Sequence, residues 1–225
     1  CPTAAMEVII GITPLHIHIE AEAARGALKH VTLNGEVDTR GHMSILNKIP
    51  NWEYLAHGTD MTLKAYDFDK PFSTTILERE GWSIEKLHIG KNDSVWYTDG
   101  SKTEEGTGFG VYGPRTRISC SLGKTSTIFQ AELEAVRNCI TLLRDRKPLG
   151  QRFTIMSDSQ AVIKALTNVE SDSKLVRECL SAIKQLTVRN KLRICWVPGH
   201  IGVEGNEIAD ELARKGASTR FIGPE

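Results

Sequence analysis

The sequence has no apolar run near the ~18 residues of a membrane span, which excludes a helical membrane protein and leaves no membrane partner to expect. It lacks paired cysteines as well: Cys1, Cys120, Cys139, Cys179 and Cys195 are odd in number and contain no C-x-x-C. That excludes a disulfide framework and a zinc ribbon, and it fits reduced thiols in an intracellular setting, cytoplasm and/or nucleus. An initiator Met and a signal-peptide pattern are missing, so the chain reads as a segment of a longer polypeptide. Net charge is zero, yet residues 1–90 carry 8 Lys+Arg against 12 Asp+Glu, and residues 91–225 carry 20 against 16. The mildly basic second part permits a polyanionic partner without demanding one. What is present is ordinary globular material, 225 residues with 40% hydrophobic and 25% charged, enough for one full domain and an appendage.

Residues 1–90 predict a mainly helical segment. Pro2 to Ile10 suits a short helix, Gly11 to Pro14 breaks it, and Leu15 to Val31 resumes with Ile19, Ala23, Ala27 and Leu28 at helical spacing. Met43–Leu46 and Thr62–Tyr66 are weaker elements, and Phe68 to Asn92 is expected to be a connector. His16, His18, His30 and His42 tempt a metal reading, but the region has no ligand spacing, and such histidines are ordinarily solvated or hydrogen-bonded.

Residues 91–225 show a clear order of elements. Ser94 to Ser101 is a β-branched and aromatic run that ends in Asp99 and Gly100, a buried strand closed by a carboxylate. Gly108–Tyr112 and Arg117–Leu122 follow at short spacing, making an antiparallel meander. The period then changes from two to 3.6: Thr127 and Gln130 have capping-box spacing, and Phe129, Leu133, Val136, Ile140 and Leu143 form one apolar stripe of a helix to about Arg146. Arg152–Met156 is a fourth strand, Ser159–Thr167 and Lys174–Thr187 are helices, Leu192–Val197 is a fifth strand, and Glu204–Ala217 is a last helix. The pattern predicts an α/β fold, a mixed five-stranded sheet with helices on both faces.

The acids in these elements differ in direction. At about 100° per residue Glu132 falls at the margin of the apolar stripe and faces the sheet, while Glu134 points to solvent. Asp158 closes the fourth strand as Asp99 closes the first, with helix N-cap as its ordinary alternative role. Asp210 lies one turn beyond Asn206 on the packed flank of the last helix, and Glu207 and Glu211 are more outward. Gathering Asp99, Glu132, Asp158 and Asp210 is unfavourable unless cations offset their repulsion. Hard oxygen donors without thiols or imidazoles select Mg²⁺ or Mn²⁺, and two such ions about 3.5–4 Å apart suit in-line displacement at a phosphodiester.

Four stretches then resemble type 1 ribonuclease H in order and spacing. They are Tyr97-Thr98-Asp99-Gly100-Ser101, Gln130-Ala131-Glu132-Leu133, Ser157-Asp158-Ser159-Gln160, and Trp196-Val197-Pro198-Gly199-His200 followed by Asn206-Glu207-Ile208-Ala209-Asp210-Glu211-Leu212-Ala213. The resemblance covers about Asp93 to Ser218 and implies a ribonuclease H fold that cleaves the RNA strand of RNA–DNA hybrids, leaving a 3′ hydroxyl and a 5′ phosphate. It implies that Asp99, Glu132, Asp158 and Asp210 hold two Mg²⁺ ions. It also implies that His200 assists proton transfer or product departure, and that Gly100, Ser101, Gln160 and Asn206 belong to the substrate-binding set.

The upstream residues resemble the segment that links reverse transcriptase to ribonuclease H in polyproteins of jockey-like non-LTR retrotransposons. Pro2–Gly11, Leu15–Lys29 and Gly41–Leu46 carry that likeness. The implied organisation is a connecting segment over residues 1–90 and a ribonuclease H domain over 91–225, with the reverse transcriptase portion as a partner. Two departures from cellular enzymes stand out. Ile128 and Phe129 occupy the helix start where bacterial enzymes carry paired asparagines, and residues 167–191 run from one helix to the next without a basic protrusion. A hybrid-binding scaffold is the alternative, disfavoured by four intact acids; a D-D-E transposase is disfavoured by His200 and Asp210.

Overall fold

The computed structural model describes residues 3, 7, 10–34, 38–53 and 60–222, and the chain divides into two compact units, residues 1–63 and 64–225. In the first unit, helix α1 spans Leu15–Asn34, three residues beyond the expected end, and Gly41–Lys48 forms a 3₁₀ helix where Met43–Leu46 had suggested an element. Ala27 and Val31 of α1 bury against Leu46, flanked by Met43, Ile45 and Trp52, and Lys48 pairs with Glu20 at 2.8 Å. The helix expected over Pro2–Ile10 lies largely outside the described residues; Thr3 and Glu7 are helical. Strand β1, Met61–Tyr66, matches the second weak element.

The second unit is built on a six-stranded mixed sheet, one strand more than the sequence suggested. Its strands are β2 (Ser73–Thr75), β3 (Ser94–Lys102), β4 (Thr107–Gly113), β5 (Thr116–Gly123), β6 (Arg152–Ser157) and β8 (Lys191–Trp196), in the order β2-β8-β6-β3-β4-β5. β3, β4 and β5 form the antiparallel meander; β3, β6, β8 and β2 run parallel. The extra strand is β2, inside the stretch expected to be a connector. Three residues are too short to show an alternating pattern, so only pairing with β8, Ser73↔Arg193 to Thr75↔Cys195, reveals it.

Helices α2 (Ile128–Asp145), α3 (Gln160–Thr167), α4 (Lys174–Thr187) and α5 (Glu204–Ala217) complete the unit. The α2 stripe works as its spacing demands: Leu133, Val136, Ile140 and Leu143 are buried with Phe109, Val111 and Ile155 from one sheet face and Ile183 from α4. α5 covers the other face, and it comes close because β4 presents Gly108 and Gly110 to it. A Cβ on Gly110 would stand 2.6 Å from the Ala213 nitrogen. A smaller apolar cluster, Leu87, Met156, Cys195 and Val197, lies apart from the larger one, with Val95, Tyr97 and Trp82 against it. Between α3 and α4 the chain forms a short strand, β7 (Glu170–Ser173), whose Glu170 pairs with Lys64. No helix among the described residues is long and apolar enough to cross a membrane.

Candidate active site

Parallel register brings two carboxylates together. Thr98 of β3 stands opposite Ser157 of β6, so the next residue in each chain, Asp99 and Asp158, arrives at the same end of the sheet. Glu132 comes from α2, whose start is fixed by a complete capping box: Thr127 N–H donates to Gln130 Oε1 at 2.8 Å, and Gln130 N–H donates to Thr127 Oγ1 at 3.2 Å. Gly100 lets that helix approach, since a Cβ there would stand 2.5 Å from the Glu132 nitrogen. Asp99, Glu132 and Asp158 each bring a carboxylate oxygen within 4.8 Å of the others. Asp99 is 4% exposed and Glu132 8%.

Three acids so placed resist ionisation. Burial, then the charges of Asp158 and Asp210, push Asp99 up to about 8. Burial, then Asp99, pushes Glu132 up to about 10, against a hydrogen bond from the Gly100 backbone that favours its charged form. Burial likewise raises Asp158. Glu132 Oε2 and Asp158 Oδ1 are buried without a hydrogen-bond partner, and leaving such atoms unpaired is costly. A hard divalent cation meets all of these conditions: the donors are carboxylate oxygens, one oxygen each of Glu132 and Asp158 lacks a partner, and a positive charge would return the acids to their ionised state.

The remaining expected residues take distinct places. Asp158 is not the helix cap; Ser159 is, its hydroxyl accepting from Val162 N–H at 3.4 Å, which leaves the Asp158 carboxylate to the site. Asp210 lies outside the close trio, near enough for its charge to raise Asp99, and Arg214 one turn on holds its Oδ2 at 2.7 Å. The Asp–Arg spacing of i,i+4 is the sequence signal for that pair. Glu134, expected to point to solvent, is half-buried and accepts from Arg137 Nε at 2.7 Å. His200 is exposed in the loop after β8 with φ of 58°, and its neighbour Gly199 is so close to Asp158 that a Cβ would stand 3.0 Å from Oδ2. Ser101 and Gln160 are half-buried at the ends of β3 and α3. Asn206 is 3% exposed, with Oδ1 unpartnered, one turn ahead of Asp210.

Residues 91–218 match the RNase H family. The chain belongs to that family. Among solved structures, RNase H1 from the halophilic archaeon Halobacterium salinarum NRC-1 is similar at 25% identity, covering 55% of this chain and 96% of that chain, with a TM-score of 0.43. The RNase H match begins at residue 91, and β2 and the buried Leu87 lie upstream of it.

Proposed function

We propose that this RNase H family chain is a divalent-metal-dependent endonuclease that hydrolyses the RNA strand of RNA–DNA hybrids. Asp99, Glu132, Asp158 and Asp210 would hold two Mg²⁺ ions, with Mn²⁺ able to substitute. The observation that carries the reading is the trio Asp99, Glu132 and Asp158, three carboxylates from three elements within 4.8 Å, with buried oxygens left unpaired. Mg²⁺, when bound, would polarise the scissile phosphate as a Lewis acid and lower the pKa of water, so that loss of a proton leaves a nucleophile. The chain's own residues do the rest. Asp99 and Asp158 fix the site at the sheet end, and the Gly100 N–H orients Glu132 against them. His200, exposed beside Asp158, carries a proton or helps product depart. The Gly100 and Ser101 backbone, Gln160 and Asn206 form the substrate-binding set, of which Gln160 and the Gly100–Ser101 backbone meet the minor groove or the 2′-hydroxyls that separate RNA from DNA.

The reading extends to context. Residues 1–90 are proposed as the segment joining a reverse transcriptase to this domain, residues 91–225, in an intracellular retrotransposon polyprotein. The likeness of Pro2–Gly11, Leu15–Lys29 and Gly41–Leu46 supports it.

The test is incubation of the full chain with end-labelled RNA–DNA hybrid, RNA duplex and DNA duplex, with Mg²⁺ and with chelator. Cleavage of the hybrid's RNA strand alone, dependent on Mg²⁺ and leaving 5′ phosphates, is expected. Binding of hybrid without cleavage would replace the reading with a scaffold role.

A further inference from the structure

Two hydrogen bonds in series run from upstream of the family match to the carboxylate site. The Trp82 indole N–H donates to the Trp196 carbonyl at 3.1 Å, and the Trp196 indole N–H donates to the Asp158 carbonyl at 2.9 Å.

The first bond exists because the sheet edge stops short. β2 pairs with β8 only as far as Thr75↔Cys195. On the other side of β8, Val197 N–H donates to Ser157 O at 3.0 Å, so the peptide groups of Trp196, one residue earlier, face the β2 edge. With Trp196 6% exposed, its carbonyl would be a buried acceptor without a partner if nothing followed β2. The Trp82 indole fills that position. It is held there from both sides: β2 precedes it, and Leu87 follows it at 1% exposure, its carbonyl accepting from Arg193 Nη1 at 2.7 Å. Trp82 and Ile84 also line a cavity of about 420 Å³ with Tyr97, Gly202, Val203 and Glu204, so the same segment abuts the loop that joins His200 to α5.

The second bond falls on one of the three clustered acids. Asp158 sits between the end of β6 and the cap of α3, and its Oδ1 has no partner. The Trp196 indole therefore fixes the peptide from which the carboxylate projects. Side chains that orient metal-binding carboxylates from outside the donor set have large effects on affinity and rate, and small misplacements near a reacting centre are costly.

We propose that Trp82 is a positioning residue of the carboxylate site, acting through Trp196 on Asp158. Its effect on turnover rests on the hydrolytic function proposed above; its effect on cation binding does not.

The test compares the full chain with Trp82→Phe, which keeps an aromatic ring and deletes the donor, and with Leu77→Ala, which removes an apolar contact in the same segment. Each is assayed for Mn²⁺ affinity by calorimetry, for kcat and KM on hybrid, and for Tm. Trp82→Phe is expected to weaken Mn²⁺ binding and lower kcat by about three- to tenfold each, the scale of one lost neutral hydrogen bond, with KM nearly unchanged. Leu77→Ala is expected to lower Tm while Mn²⁺ affinity and kcat hold. The proposal is overturned if Trp82→Phe binds Mn²⁺ and turns over like the parent, or if Leu77→Ala loses as much as Trp82→Phe. Should Trp82→Phe fail to fold, Trp82→Ile is read on the same axes. A parent chain that binds Mn²⁺ but cuts no hybrid would sink the proposed function and leave the affinity comparison to decide on Trp82.

Discussion

Arg214 holds Asp210 across one turn of α5, Nη2 to Oδ2 at 2.7 Å, while Asp210 in turn faces Asp99. The guanidinium thus occupies a carboxylate that a cation in the site would also draw on. The Arg214 side chain is 60% exposed and that of Asp210 23%, so the pair is a weak one, of the order of 0.2–1 kcal/mol. Arg214→Gln is expected to lower the Mg²⁺ midpoint for activity by about two- to fivefold, because the site becomes more negative. An unchanged or higher midpoint in a metal titration would show that Asp210 takes no part in holding the cation.

Asp158→Asn should remove cleavage and spare the fold. The substitution is isosteric, the helix cap belongs to Ser159 and not to Asp158, and the Trp196 bond goes to the backbone. It removes a charge from a site where burial already raises the carboxyl, so Tm in the absence of metal should hold or rise. The rate on hybrid should fall by about 10³-fold or more. A variant cutting within tenfold of the parent would show that Asp158 is not a ligand.

In the metal-free chain the acid cluster makes stability depend on pH with a definite sign. Asp99 rises from 3.8 to about 8 and Glu132 from 4.5 to about 10, so the folded state keeps protons that the unfolded state gives up. A raised carboxyl contributes stability that is fully present below its unfolded value and is lost as pH climbs through its folded value. Metal-free Tm is therefore expected to fall steadily from about pH 5 to pH 9. Asp99→Asn should flatten that slope and exceed the parent in Tm at pH 8, and saturating Mg²⁺ should flatten it as well by favouring the ionised acids. Melting curves across the pH range, with and without Mg²⁺, check all three statements. A metal-free Tm that rises with pH would contradict the burial-driven shifts.

His200 is exposed, lies outside the carboxylate trio and adopts a left-handed backbone. His200→Ala is expected to cut turnover by about 10²-fold and leave the Mg²⁺ midpoint in place. Because φ is 58°, His200→Gly should be at least as stable as His200→Ala yet lose turnover equally, which separates loop strain from chemistry. A shifted metal midpoint in either variant would make His200 a ligand.

The helices and the site were legible to different degrees for physical reasons. α2 could be read nearly to its ends because its signals are local: a capping box at Thr127 and Gln130, and a stripe from Phe129 to Leu143. The meeting of Asp99, Glu132 and Asp158 could be anticipated because each acid sits at a strand end or on a stripe margin. Glu134 departs from the solvent-facing position its helical angle implies because Arg137, which also reaches Glu178 of α4, holds its carboxylate. β2 and Trp82 were invisible for a different reason. Their partners, Arg193 to Trp196, lie over a hundred residues away, and neither a three-residue strand nor a lone indole leaves a periodic trace.

Residues 64–90 are expected to contribute strongly to the stability of the second unit. Leu87 is 1% exposed in a cluster with Met156, Cys195 and Val197, so Leu87→Ala should cost about 2–5 kcal/mol in denaturant unfolding. A chain beginning at residue 91, where the family match begins, would lose Leu87 and Trp82 together with β2, and would bare the backbone edge of β8 from Arg193 to Cys195. An uncovered edge of that kind invites pairing with other chains. The fragment 64–225 is therefore expected to melt cooperatively and stay monomeric, and the fragment 91–225 to melt well below it and aggregate on heating. Calorimetry and light scattering on the two fragments decide the matter: equal Tm values with no aggregation would show that the upstream segment only decorates the sheet.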